Sequence, residues 1–273
     1  TAPIFYKDLD MEYKTSGGVT FAYSPLIDVP HGFSTRLGGV SEAAHTSALN
    51  LAFDKGDELE TVLRNLALCA AAVGVDEKSI ISAPQIHSST VRRVSAADAG
   101  RGYFKECDFA CDGYITTERG VTLGVKTADC VPILMCAKRD GEGRAVCALH
   151  AGWRGTSARI VEAALGELFA LGFAPSDIYA AIGPSIGSCC YEVGEDFYAA
   201  FDAELREKFV IPTENGKYRA DLRAANLALL EAAGVPRQNV DVSEDCTYCR
   251  ADLYYSHRRQ NGTRGSMLSV IAL

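Results

Sequence analysis

Apolar residues recur at helical spacing in four stretches of the chain. Across 57–73, Leu59, Val62, Leu63, Leu66, Ala70 and Val73 share one face, and Gly74 ends the run. A second helix is predicted after Thr156, with Ile160, Val161, Ala164, Leu165, Leu168 and Phe169 on one face and Gly172 behind it. A third spans 195–209. A fourth spans 221–233, closed by Gly234 and Pro236. Strand-like runs fall at 19–23, within 80–94, and at 145–149, 178–182, 240–242 and 267–273. The runs 114–116, 122–126 and 131–136 read as a meander.

Helices and strands are interleaved without strict alternation. This predicts a mixed α/β (α+β) fold in which a mixed sheet carries helices on its faces. The stretch 145–182 reads as one strand–helix–strand unit, right-handed if its strands are parallel neighbours. No linker or repeat divides the chain, so a single domain over 1–273 is expected.

Composition narrows the class. With 48% apolar and 23% charged residues, the chain is neither disordered nor a coiled coil. No apolar run approaches ~18 residues, so no membrane span is expected. Thr1-Ala2-Pro3-Ile4 lacks the layout of a signal peptide, and the absence of Met there leaves room for a missing initiator segment. The net charge is −8, from 27 Lys and Arg against 35 Asp and Glu. Apart from Ser256-His257-Arg258-Arg259 there is no basic footprint, which argues against nucleic acid as a partner. Ten cysteines in a chain too long to need a disulfide scaffold point to the reducing cytoplasm. Most should then fill the core, and a minority should act as ligands or nucleophiles.

Five histidines are few enough to weigh singly. His150 ends the apolar run 145–149 and precedes Ala151-Gly152-Trp153-Arg154-Gly155-Thr156, which enters a helix. Strand ends and helix N-termini are where anionic ligands bind, and Arg154 adds a cation there. The plain alternative is a strand-end histidine held by a carbonyl, with Trp153 as core. Cys130 lies in Lys126-Thr127-Ala128-Asp129-Cys130-Val131-Pro132, between two apolar strands. Neighbouring charge or a metal would stabilise its thiolate, whereas an inert buried thiol is the simpler reading. His87, in Ala83-Pro84-Gln85-Ile86-His87-Ser88-Ser89-Thr90, is a ligand or an ordinary surface residue. Together His87, Cys130 and His150 offer two imidazoles and a thiolate. Three such donors plus an open position make a catalytic zinc site.

Rival features remain. Cys107-x3-Cys111 with Cys246-x2-Cys249 could form a structural tetrathiolate site. Cys189 and Cys190 are adjacent, but a vicinal disulfide is strained, which favours packing. Arg36, in the turn-rich segment 31–41, could aim a guanidinium into a cleft, and Gly183-Pro184-Ser185-Ile186-Gly187 could shape another wall. No phosphate-cradling loop, dinucleotide fingerprint or serine nucleophile elbow is present. A multi-copper centre needs more histidines than this chain has, and there is no His-x-His pair.

Seven segments then align in order with one family: HGFSTRLGGVS (31–41), NLAFDKGDELETVLRNLALCAAAVG (50–74), QIHSS (85–89), CDGYITTERGVTLGVKTADCVPIL (111–134), ALHAGWRGT (148–156), AIGPSIGSCCYEVGEDF (181–197) and YYSHRR (254–259). The chain resembles the bacterial members of the laccase-domain, multicopper polyphenol oxidoreductase-like family, regarded as zinc-dependent purine nucleoside enzymes. The match runs from about residue 20 to the C-terminus. TADC and HAGWRGT are its specific strings. YYSHRR departs from the pattern, which more often has an aromatic where His257 stands.

The resemblance implies a metal triad on His87, Cys130 and His150. It implies zinc, with copper the lesser choice. It further implies phosphorolysis of adenosine, inosine, guanosine and methylthioadenosine, and deamination of adenosine. Asp129 is the carboxylate nearest a ligand in sequence and the candidate proton carrier; Arg36 and Arg154 are the candidate phosphate holders. Peptidoglycan editing, copper-dependent phenol oxidation and a non-enzymatic binding role are the competing readings. Tyr191 and Glu192, after Cys190, carry no assigned chemistry.

Overall fold

The computed structural model describes residues 11–139 and 143–273. The N-terminal tetrapeptide read for a leader lies outside the described residues. In chain order the strands are β1 (Glu12–Ser16), β2 (Val19–Tyr23), β3 (His31–Ser34), β4 (Ile80–Ile81), β5 (Val91–Arg93), β6 (Gly113–Thr116), β7 (Thr122–Thr127) and β8 (Val131–Arg139). They continue with β9 (Gly143–Ala151), β10 (Ile178–Ile182), β11 (Glu192–Val193), β12 (Val210–Pro212), β13 (Tyr218–Ala220), β14 (Val240–Val242) and β15 (Met267–Ala272). The helices are α1 (Leu59–Val73), α2 (Trp153–Ser157), α3 (Ile160–Ala170), α4 (Glu195–Ala199), α5 (Ala203–Phe209) and α6 (Leu222–Ala232).

The strands form two six-stranded sheets, β1-β2-β3-β15-β7-β4 and β14-β10-β8-β9-β6-β5, and a small one, β11-β13-β12. Each large sheet is mixed. The pairs β4–β7, β5–β6 and β10–β14 are parallel, and the other ladders antiparallel. The mixed α/β class expected above holds, with the strands shared among three sheets.

Side-chain alternation sets the layers. Along β8, Ile133, Met135 and Ala137 pack with Ala164, Leu168, Leu229 and Leu230 of α3 and α6. Leu134 and Cys136, on the opposite face, pack with Leu123, Val125 and Ile271 of the first sheet. The outer face of that sheet, with Phe21, Leu268 and Val270, covers Val62, Leu66 and Ala70 of α1. The order is therefore α1, first sheet, second sheet, then α3 and α6. This explains why β8 and β9 read as unbroken apolar runs: both faces are covered.

The expected meander is not formed. β6 pairs with β9 and β5, β7 with β15 and β4, and β8 with β10 and β9. The chain changes sheet between β6 and β7 and again between β7 and β8. A strand apolar on both faces gives no sign of which neighbour it takes. Within 145–182, β9 and β10 run parallel, but β8 lies between them.

Helix starts and stops follow local chemistry. The α1 helix ends at Gly74, whose φ of +89° lets its N–H return to the Ala70 carbonyl. The helix expected after Thr156 is α3, which starts at Ile160 behind Arg159 with φ +63°, and the short α2 precedes it. The third is split: the Asp202 carboxylate accepts the Leu205 N–H and starts α5 anew. Among the described residues, no helix is long and apolar enough to cross a membrane.

Candidate metal centre

The site forms at the crossing from the first sheet to the second. β7 ends at Thr127, Ala128-Asp129-Cys130 turns, and β8 begins at Val131. Asp129 has φ +95°, a strained value for a residue other than glycine. The β8–β9 register pairs Val131 with Ala151 and Pro132 with His150, so Cys130 is carried beside the end of β9. His87 arrives on the loop between β4 and β5, also in left-handed backbone geometry with φ +59°.

The structure brings His87, Cys130 and His150 together, with one donor atom from each lying within 4.8 Å of the others. Ligands at tetrahedral positions on zinc stand about 3.3–3.8 Å apart, so this spacing suits one shared ion. His87 is exposed, Cys130 half-buried and His150 buried, and all three line one cavity. Room for an ion is kept by Gly152. A Cβ built there would stand 3.0 Å from His87 Cδ2, 3.2 Å from Cys130 Sγ and 3.8 Å from His150 Cε1.

Asp112, just before β6, is the residue that sequence inspection missed. Its side chain is fully buried. Oδ1 accepts the His150 Nδ1–H at 2.8 Å and the His87 backbone N–H at 3.0 Å. Oδ2 accepts the Ser88 N–H at 2.7 Å and the Ser88 hydroxyl at 2.8 Å. One carboxylate thus orients the His150 ring, leaving Nε2 for the cavity, and pins the loop carrying His87. The only hint in sequence is a lone acid, in Cys111-Asp112-Gly113-Tyr114, entering an apolar strand.

The electrostatics match this geometry. Burial works against ionisation of Cys130, but the imidazoles of His150 and His87 outweigh it and bring the thiol down to about 6. Burial likewise opposes a charged His150, and Cys130 with Asp112 raises it to about 9. Burial would raise Asp112, but His150 and Ser88 hold it down at about 2.

The trio borders a cavity of about 620 Å³, large enough for a nucleoside-sized molecule. Lys126, Arg258 and Arg264 give it a cationic lining, and Tyr191, Ile186 and His257 complete much of the wall. Burial lowers the Lys126 ammonium, with Asp54 opposing. The Arg258 guanidinium lies 5.2 Å from the Tyr191 ring centre. Asp129 also lines the cavity, its carboxylate accepting the Thr247 hydroxyl at 2.6 Å and the Arg258 N–H at 2.7 Å.

The two predicted phosphate holders fall elsewhere. Arg36 is not part of the cavity lining. Its guanidinium donates to the Ser47 and Ala251 carbonyls and lies over the Tyr255 ring, so it clamps loops. Arg154 is exposed at the first turn of α2, its guanidinium 4.3 Å from the Trp153 ring centre. The rival tetrathiolate of Cys107, Cys111, Cys246 and Cys249 is not assembled. Cys107 and Cys111 pack into the apolar layer between the sheets, and the thiols meeting Cys246 and Cys249 are Cys189 and Cys190. These two are not core filler either: Cys189 is exposed and Cys190 half-buried.

Residues 30–273 match the family described as multi-copper polyphenol oxidoreductase laccase, and the chain belongs to that family. It is 37% identical over 260 residues to the purine nucleoside phosphorylase YlmD of Geobacillus stearothermophilus, covering 90% of this chain and 91% of that protein. A protein named adenosine deaminase RL5, from an unknown prokaryotic organism, is 36% identical over 247 residues, covering 87% of this chain and 91% of its own length. The crystal structure of YlmD from Geobacillus stearothermophilus superposes with a TM-score of 0.86 at 33% identity, covering 97% of this chain and 99% of that one.

Proposed function

We propose that this protein is a zinc-dependent purine nucleoside enzyme that phosphorolyses adenosine, inosine, guanosine and methylthioadenosine and deaminates adenosine. The observation that carries the reading is the meeting of His87, Cys130 and His150, its histidines held by Asp112, in the lining of a cavity that also carries Lys126, Arg258 and Arg264. The names of the relatives point the same way. Nitrogen and sulfur donors with an open side suit zinc and not magnesium or calcium. Zinc, when bound, supplies a Lewis acid and lowers the pKa of water beside it.

The chain's own residues do the rest. Asp112 fixes the tautomer of His150, and Gly152 keeps the space between the donors clear. Tyr191 and the Arg258 guanidinium, 5.2 Å from its ring centre, both line the cavity and offer stacking partners for a purine ring. Lys126 and Arg264 face the same cavity and can hold phosphate oxygens. In phosphorolysis a phosphate oxygen bonds to C1′ as the C1′–N bond breaks, and the departing purine nitrogen takes a proton. In deamination a water oxygen bonds to C6 of adenine and the amino nitrogen leaves as ammonia. Asp129, on the cavity wall with Asp54, is the candidate proton carrier; its oxygens accept from the Thr247 hydroxyl and the Arg258 backbone N–H.

Copper oxidation of phenols draws less support. His31 and His45 are tied to backbone groups through Val29, Ser24 and Lys55, which leaves no histidine cluster for several coppers among the described residues. Incubation of the reduced, zinc-loaded protein with adenosine decides the matter. Adenine and ribose-1-phosphate should appear only with phosphate, and inosine with ammonia should appear without it. No purine product at all, or oxygen uptake with a phenol by the copper-loaded protein, would overturn the reading.

A further inference from the structure

A second group of donors lies apart from the trio. The Sγ atoms of Cys189, Cys190, Cys246 and Cys249 all stand within 4.8 Å of one another. Cys249 Sγ is 3.6 Å from that of Cys189 and 3.4 Å from that of Cys190. These separations exceed an S–S bond of about 2.05 Å. They lie close to the roughly 3.8 Å edge of a thiolate tetrahedron with Zn–S bonds of about 2.3 Å. Cys246-Thr247-Tyr248-Cys249 has the two-residue spacing of a zinc-binding turn. The Gly187 N–H donates to Cys246 Sγ at 3.3 Å, and the Tyr248 and Cys249 N–H groups also point at that sulfur. Such donors stabilise a metal-bound thiolate.

We propose that Cys189, Cys190, Cys246 and Cys249 form a structural site for one soft divalent cation, zinc by its chemistry, separate from the cavity. Binding releases the four thiol protons to solvent and leaves a net charge of −2 on the ion and its ligands. Arg219, which donates to the carbonyls of Ser188 and Cys189, is a cation that can offset part of it; Arg223, which donates to those of Ser243 and Asp245, is already ion-paired with Asp221 at 2.9 Å. The ion would tie the loop after β10 to the loop after β14. Those loops already meet through the Thr247 N–H and the Ser185 carbonyl at 3.0 Å. The first loop delivers Ile186 and Tyr191 to the cavity, and the second delivers Thr247 to the Asp129 carboxylate. The sulfur site is therefore a brace behind the cavity wall, and it holds whatever the cavity's substrate is.

The test removes the first site and asks what remains. A Cys130→Ala, His150→Ala double variant, purified under thiol reductant, should still bind about one zinc per chain. Its X-ray absorption should show sulfur neighbours only, at about 2.3 Å. Cobalt substitution should give the strong visible and sulfur-to-metal charge-transfer bands of four thiolates. Adding Cys249→Ser should abolish both signals. Should the double variant fold poorly, Cys189→Ser with Cys190→Ser in the otherwise intact chain should lower the zinc content from about two per chain to about one. The proposal is overturned if the double variant holds no metal, or if nitrogen or oxygen ligands dominate its spectrum. It is equally overturned if the four sulfurs of protein kept reduced are recovered as disulfides, or if the Cys189, Cys190 variant keeps its full zinc content.

Discussion

Asp112 does two things with one carboxylate: it orients a ring that can bind metal and it holds down the loop that brings a second ring. Asp112→Asn should weaken zinc binding roughly 10–100-fold, read by competition with a chelator. The same residue gives a pH signature. Its folded pKa of about 2 lies below the ordinary value of 3.8, so its stabilising effect is complete above about pH 4 and fades as the pH falls toward about 2. The acid-labile part is about 2 kcal/mol. Urea midpoints of wild type and Asp112→Asn should therefore converge on acidification across that window; parallel curves would show that Asp112 is not the group responsible. At Gly152 the prediction is steric. Gly152→Ala places a methyl 3.0–3.2 Å from His87 and Cys130, so metal affinity should fall steeply while the melting temperature moves only a few degrees. The trio was legible in sequence because histidine and cysteine at strand ends carry chemistry that the core does not need. Asp112 and Gly152 were not, because each works through a neighbour and neither disturbs a hydrophobic pattern.

At the scale of elements, the loops decide which cations reach the cavity. Arg36 spends its donors on the carbonyls of Ser47 and Ala251, whereas Arg264 lines the cavity. Arg36→Ala should therefore cost roughly 1–3 kcal/mol of stability and leave the KM for phosphate unchanged. Arg264→Ala should raise that KM with a smaller effect on the melting temperature. Steady-state kinetics with phosphate varied, alongside thermal melts, separates the two; a rise in KM for Arg36→Ala would contradict this placement. The span of α1 was readable because it buries one stripe; that of α6, buried nearly all round, was readable from Asp221 at its start and Gly234 with Pro236 behind it. The break at Asp202 was not, since Phe197, Phe201, Leu205 and Phe209 keep a four-residue spacing across it. The strand partners of β6, β7 and β8 were hidden for the opposite reason: burial on both faces erases the alternation that would mark a side.

At the scale of the whole molecule, two stacked sheets share one apolar layer, and Leu134 sits in it fully buried beside Leu123 and Ile271. Leu134→Ala should destabilise the fold by about 2–5 kcal/mol. The lone tryptophan, Trp153, follows His150 by three residues, so its fluorescence reports on the site while far-ultraviolet dichroism reports on the sheets. Both should give one coincident unfolding curve in wild type and variant. A fluorescence change preceding the loss of sheet signal would mean that the site melts on its own.

The turn at Asp129 hands the chain from one sheet to its neighbour, and Cys130 is the first residue past the step. His150 stands at the end of β9 in that second sheet, so the distance from sulfur to imidazole is set by a single strand pairing, β8 with β9. A slip of that ladder by one residue would turn a ligand to the opposite face and undo the trio with every donor still present in the chain.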